Sequence, residues 1–61
     1  MKQRNVLLEA ALDYINRGIV VFPVKAGDKV PLTRNGFKAA TVDDRTVCEW
    51  WKKWPDANIG I

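Results

Sequence analysis

Residues 41–61 read TVDDRTVCEWWKKWPDANIGI, and the fold turns on this stretch. Three tryptophans and two lysines fall within residues 50–54, a mixture that could form an exposed surface for stacking bases. Their spacing argues for a different use. Val47, Trp50, Trp51 and Trp54 stand at i, i+3, i+4 and i+7, one face of a helix, while Arg45, Glu49, Lys52 and Lys53 take the other. A face of that kind packs against a sheet, so the tryptophans are expected to be mostly scaffold. Thr41 or Asp43 is placed to cap the helix, and Asp44 to complement its positive end. Pro55 ends it, because a residue before proline leaves the helical region easily. Asp56-Ala57 then make a turn, and residues 58–61 begin a strand.

Working outward, residues 19–24 (IVVFPV) form a continuous apolar run without alternation, the pattern of a strand covered on both faces. Pro23 has no amide to donate, which puts the strand at an edge there or brings it to its end. Residues 2–17 predict an amphipathic helix: Leu8, Ala11, Leu12 and Ile15 follow the helical period, and Leu7 and Tyr14 widen the stripe. Arg17 falls in the last turn, near the negative end of the helix dipole, and Gly18 is placed for a left-handed cap. Glu9 and Asp13 break the apolar run, so it is neither a signal peptide nor a membrane span.

Between strand and helix lies a long loop, residues 25–40, with a short extended piece at 29–32. Gly27-Asp28 and Asn35-Gly36 are turn signals, and Pro31 pushes Val30 into extended backbone. Sixteen residues is long for a connector in a small domain, and such loops are more often binding loops or lids. The element order is α-β-loop-α-β. A strand-helix-strand crossover predicts two parallel strands in one sheet, hence an α/β fold with two helices packed on a small parallel sheet. Two helices cover one face of that sheet and leave the other poorly covered, so the unit reads as incomplete.

Sixty-one residues allow one domain with a thin stability margin. The single cysteine, Cys48, cannot form an internal disulfide, and without histidine or a second cysteine no zinc site is expected. An unpaired cysteine fits the cytoplasm. The net charge of +3 is concentrated: Lys25, Lys29, Arg34 and Lys38 stand against Asp28 alone in residues 25–38, and the remaining six basic and six acidic residues cancel. An anionic partner explains this patch, and so do solvated loop lysines. Ligands of open α/β sheets collect at the carboxyl ends of strands, and the basic loop leaves the carboxyl end of the first strand.

Catalytic groupings are missing. Asp43 and Asp44 are helix neighbours that do not face each other, and Asp56 follows a proline in a turn. None has the same-face spacing that holds magnesium between two carboxylates. Cys48 has no histidine to activate it. The chain alone is not expected to be an enzyme.

Several pieces, in order, resemble the N-terminal part of the bifunctional DNA primase/polymerase domain, a branch of the archaeo-eukaryotic primase superfamily found in plasmids, phages and integrated elements. They are Arg17-Gly18 followed by Val21-Phe22-Pro23, then Gly27-Asp28-Lys29-Val30-Pro31-Leu32, then Gly36-Phe37-Lys38 with Ala40-Thr41. Trp50-Trp51 leading to Trp54-Pro55-Asp56-Ala57-Asn58-Ile59-Gly60-Ile61 completes the set. The resemblance runs from about Leu8 to Ile61. It implies that the chain is an N-terminal α/β portion of a larger primase-type domain, truncated before the acidic residues that bind magnesium or manganese. No catalytic or metal-binding residue can be carried over. The Lys29-Val30-Pro31 and Gly36-Phe37-Lys38 pieces correspond to a loop of that family. From charge and position, Lys29, Arg34 and Lys38, with Lys25 behind them, are the candidates for contacting nucleotide or DNA backbone.

The expected partners are DNA, nucleoside triphosphates and the remainder of the primase domain. The rival expectation is a small free-standing interaction module, or a homodimer joined through its open sheet, without catalytic activity.

Overall fold

The computed structural model describes residues 5–61. Helix α1 spans Val6–Asn16, and Asn5 caps it in extended backbone, its side-chain oxygen accepting the Leu8 amide at 3.1 Å. The helix therefore starts after Asn5; the expected first turn at residues 2–4 lies outside the described residues. The same Asn5 side chain donates to the Pro55 carbonyl at 3.1 Å, pinning α1 to the turn before the last strand. At the other end Gly18 adopts φ +82°. Its amide bonds the Ile15 carbonyl and that of Ile19 the Tyr14 carbonyl, which makes a Schellman cap. Arg17 is the C-cap residue and pairs with Asp13 at 3.0 Å, both side chains exposed.

Strand β1 is Phe22–Val24, helix α2 is Asp44–Lys53 and strand β2 is Asn58–Gly60, with a 3₁₀ turn at Gly36–Ala39 in the long loop. Asp43 caps α2 by accepting both the amide and the hydroxyl of Thr46. Thr41 supports this cap, its hydroxyl accepting the Asp43 amide. The core joins Ala11 and Ile15 of α1, Val21, Val47 and Trp51 of α2, and Ala57. Leu7, Leu8, Leu12, Tyr14, Trp50, Trp54 and Ile59 pack around it, half-buried. Both helical stripes thus face inward as their spacing predicts. Trp51 is 1% exposed, and its indole N–H donates to the Ala57 carbonyl at 3.0 Å, which satisfies its one polar atom.

The sheet corrects the expected strand direction. β1 and β2 are antiparallel, with Phe22 opposite Gly60, Pro23 opposite Ile59 and Val24 opposite Asn58. The reason is the loop. After β1 the chain turns back, pairs Pro31 with Val24, and descends until Thr41 pairs with Val21. Residues 31–41 thus make their own pass along the sheet. Helix α2 carries the chain back to the Val24 end, so β2 must run down. Treated as a connector at one end of β1, the loop leaves one pass uncounted and gives a parallel pair. The α/β class stands.

Pro23 is tolerated beside two neighbours. Its carbonyl accepts the Leu32 amide at 3.0 Å on the loop side of β1, so its missing N–H falls on that edge too and not toward β2. Residues 19–24 are also not covered on both faces as expected. Val21 and Pro23 are fully buried under the helices, whereas Val20, on the opposite face, is 45% exposed.

The Asp43 cap has a pH signature. The Thr46 hydroxyl, then the Thr46 amide, hold the Asp43 carboxyl below its ordinary value. A depressed folded-state pKa contributes stability that is present above the ordinary carboxylate value and is lost as pH falls through the folded one. Melts followed across that acid window should show Asp43→Asn with a shallower fall than wild type. An identical acid limb would deny the cap this role.

Candidate nucleic-acid interface

The basic loop is built from three hydrogen-bonded turns. In the first, the Asp28 amide bonds the Lys25 carbonyl at 3.1 Å with Gly27 at φ +74°, the position that a type II turn reserves for glycine. The Lys25 amide donates to the Val30 carbonyl at 2.8 Å and closes a small hairpin. In the second, the Gly36 amide bonds the Thr33 carbonyl, and the Thr33 hydroxyl donates to the Gly36 carbonyl at 3.0 Å. The third is the 3₁₀ turn, in which the Lys38 amide bonds the Asn35 carbonyl. The loop expected to lack firm structure has its backbone tied at each stage.

Lys25, Lys29, Arg34 and Lys38 are exposed, and none makes an ion pair among the described residues. Asp28, the one acid of the segment, spends a carboxylate oxygen on the Lys29 amide at 2.7 Å and braces its own turn. Lys25 and Lys29 share the hairpin, Arg34 sits on the second turn and Lys38 on the third. Phe37, beside Lys38, is 69% exposed.

Sequence reading missed one grouping. Lys25 and Leu32 from the loop meet Lys53, Trp54, Pro55 and Asp56 from the end of α2 around a cleft of about 270 Å³. The Lys53 ammonium stands 4.9 Å from the centroid of the Trp54 ring. Trp54 shares its helix face with Trp51 but is only half-buried, because it lies one turn nearer the helix end. The one available sequence signal was its place beside Lys53 and immediately before Pro55.

The arrangement can attract and hold anions. Among the described residues no three acidic, cysteine or histidine side chains are gathered to hold a metal ion. Cys48 is exposed on α2. In the antiparallel pair, Val24 at the carboxyl end of β1 lies beside Asn58 at the amino end of β2, so the rule that ligands collect at the carboxyl ends of parallel strands does not apply. What marks the loop is its charge. No described helix is long and apolar enough to cross a membrane.

No curated protein and no solved structure matches the chain. A family model described as bifunctional DNA primase/polymerase, N-terminal, matches residues 11–61, which takes in the second half of α1, the basic loop, α2 and β2. The match covers all but the first ten residues, and the chain belongs to the bifunctional DNA primase/polymerase N-terminal family.

Proposed function

We propose that residues 1–61 are the N-terminal α/β portion of a DNA primase/polymerase that serves replication of a plasmid, phage or integrated element in the cytoplasm. Its basic loop contacts DNA backbone or nucleoside triphosphate. The observation that carries this reading is the set of four exposed cations, without an ion pair among the described residues, on a braced loop within the matched family region. Lys29, Arg34 and Lys38 make the principal contacts and Lys25 supports them. Nucleotide joining, with its magnesium or manganese, belongs to acidic residues of the parent enzyme that have no counterpart here.

The test is the triple substitution Lys29→Ala, Arg34→Ala, Lys38→Ala, titrated with single-stranded DNA at several salt concentrations. Three lost phosphate contacts should weaken binding and flatten the log–log salt dependence by about 2. Unchanged affinity with a native circular dichroism spectrum would sink the reading. One observation favours a second reading, a homodimer or interaction module without catalytic activity: among the described residues the sheet face that carries Val20 leaves it largely exposed. A chain that ignores DNA yet sediments as a dimer belongs to that class.

A further inference from the structure

We propose that the cleft between the Lys25–Val30 hairpin and the end of α2 is a base-binding subsite for single-stranded DNA, with Trp54 as the stacking surface and Lys25 and Lys53 as contacts to the flanking phosphates. The inference rests on the DNA-contact reading above and adds to it a pocket and a ligand class.

Three observations converge there. The cleft combines an aromatic ring and apolar walls, Leu32 and Pro55, with two lysines that make no ion pair among the described residues. Asp56 is its single acid, so the cleft stays net positive. Apolar walls with a cationic rim suit a ligand that is flat and uncharged in one part and anionic in the next, which describes a nucleotide in a strand. Its volume of about 270 Å³ falls just below the range of roughly 300–1,000 Å³ that holds drug-sized ligands, which favours a small group such as a single base over a larger ligand.

The second observation is the state of the indole. Trp54 keeps part of its ring exposed, and the Lys53 ammonium already stands over it at 4.9 Å. An exposed cation–π contact is weaker than base–aromatic stacking. A base can therefore displace the ammonium from the ring, and the released lysine stays within reach of the phosphate that arrives with the base. The third is continuity. Lys25 belongs both to the cleft and to the charged loop, so a backbone lying along the loop cations enters the cleft at Lys25.

The experiment compares a labelled oligothymidylate with an abasic phosphodiester strand of the same length, by fluorescence anisotropy. The proteins are wild type, Trp54→Leu, Lys25→Ala/Lys53→Ala and the loop triple variant. Wild type should prefer the thymidylate by about tenfold. Trp54→Leu should abolish that preference while it binds the abasic strand as wild type does, and the lysine pair should weaken both strands. Equal wild-type affinity for the two strands overturns the subsite. So does a preference that survives Trp54→Leu, or affinity for the two strands that is indifferent to the lysine pair; the lysine pair alone decides if Trp54→Leu does not fold. Equal binding that the loop triple variant still weakens leaves the loop contact standing and removes only the subsite. No binding of either strand removes both.

Discussion

Trp51→Ala is expected to abolish cooperative unfolding of this chain. Trp51 is 1% exposed and meets both α1 and the sheet through the central cluster. Truncating a buried tryptophan to alanine costs about 3–5 kcal/mol through lost transfer energy and the cavity left behind. Total stabilities run at roughly 0.05–0.15 kcal/mol per residue, or about 3–9 kcal/mol for a chain of this length. The loss is of the same order as the whole. The polar atom matters separately, because the indole N–H satisfies the Ala57 carbonyl just before β2. Trp51→Phe should therefore fold but lose about 1–3 kcal/mol, from the unpaired buried carbonyl. Trp50→Ala, on the same helix but half-buried, should cost less than Trp51→Ala. Urea titrations followed by far-ultraviolet circular dichroism read all three. A Trp51→Ala protein that unfolds cooperatively within about 1 kcal/mol of wild type would contradict the packing described.

The second large effect is expected at Gly60, where a substitution that should help an ordinary strand will harm this one. Glycine weakens strands through backbone entropy, so Gly→Ala at a permissive site gains stability. Here Gly60 sits directly opposite Phe22. A Cβ at position 60 would come 2.7 Å from Phe22 Cε1 and closer still to Cζ. Either the ring leaves the sheet face or the two strands separate. Overpacking of this kind costs about 1–3 kcal/mol, and Gly60→Val should exceed Gly60→Ala because its branches add to the crowding. Specificity is checked with Phe22→Leu. That change removes the ring, so Gly60→Ala in its background should cost clearly less, a coupling that a double-mutant cycle reports. Additive losses would show that Gly60 is needed for some reason other than the ring.

Both sites show what the sequence could and could not reveal. The inward placement of Trp51 follows from spacing alone, as does the cap at Gly18, because each depends on residues within one or two turns; the sequence left the α2 cap between Thr41 and Asp43, and Asp43 takes it. The resemblance gave the family on local pieces in order, and the family match agrees. Strand direction was not legible. It depends on whether residues 31–41 cross the sheet, and that is settled by the Val21–Thr41 and Val24–Pro31 pairings rather than by local propensity. The contact of Phe22 with Gly60 depended on the same parity. The cleft was hidden for a like reason: Lys25 and Lys53 meet only once α2 has returned to the Val24 end of the sheet. Periodicity assigned Trp54 to the packed face correctly, but carries no measure of how far that face extends beyond the core.

The route by which β1 acquires its two neighbours also orders the assembly of the chain. On one side, Val24 finds Pro31 only seven positions away. On the other, Phe22 must find Gly60 across 38. Closing the longer loop costs about 1.5 kcal/mol more in chain entropy, offset by three paired residues, the Trp51–Ala57 bond and the packing of Ile59 against the core. The hairpin edge can form from its own short segment, whereas the β2 edge needs α2 to bring its strand back. The two edges of one short strand thus run on different clocks, set by how far along the chain each partner lies.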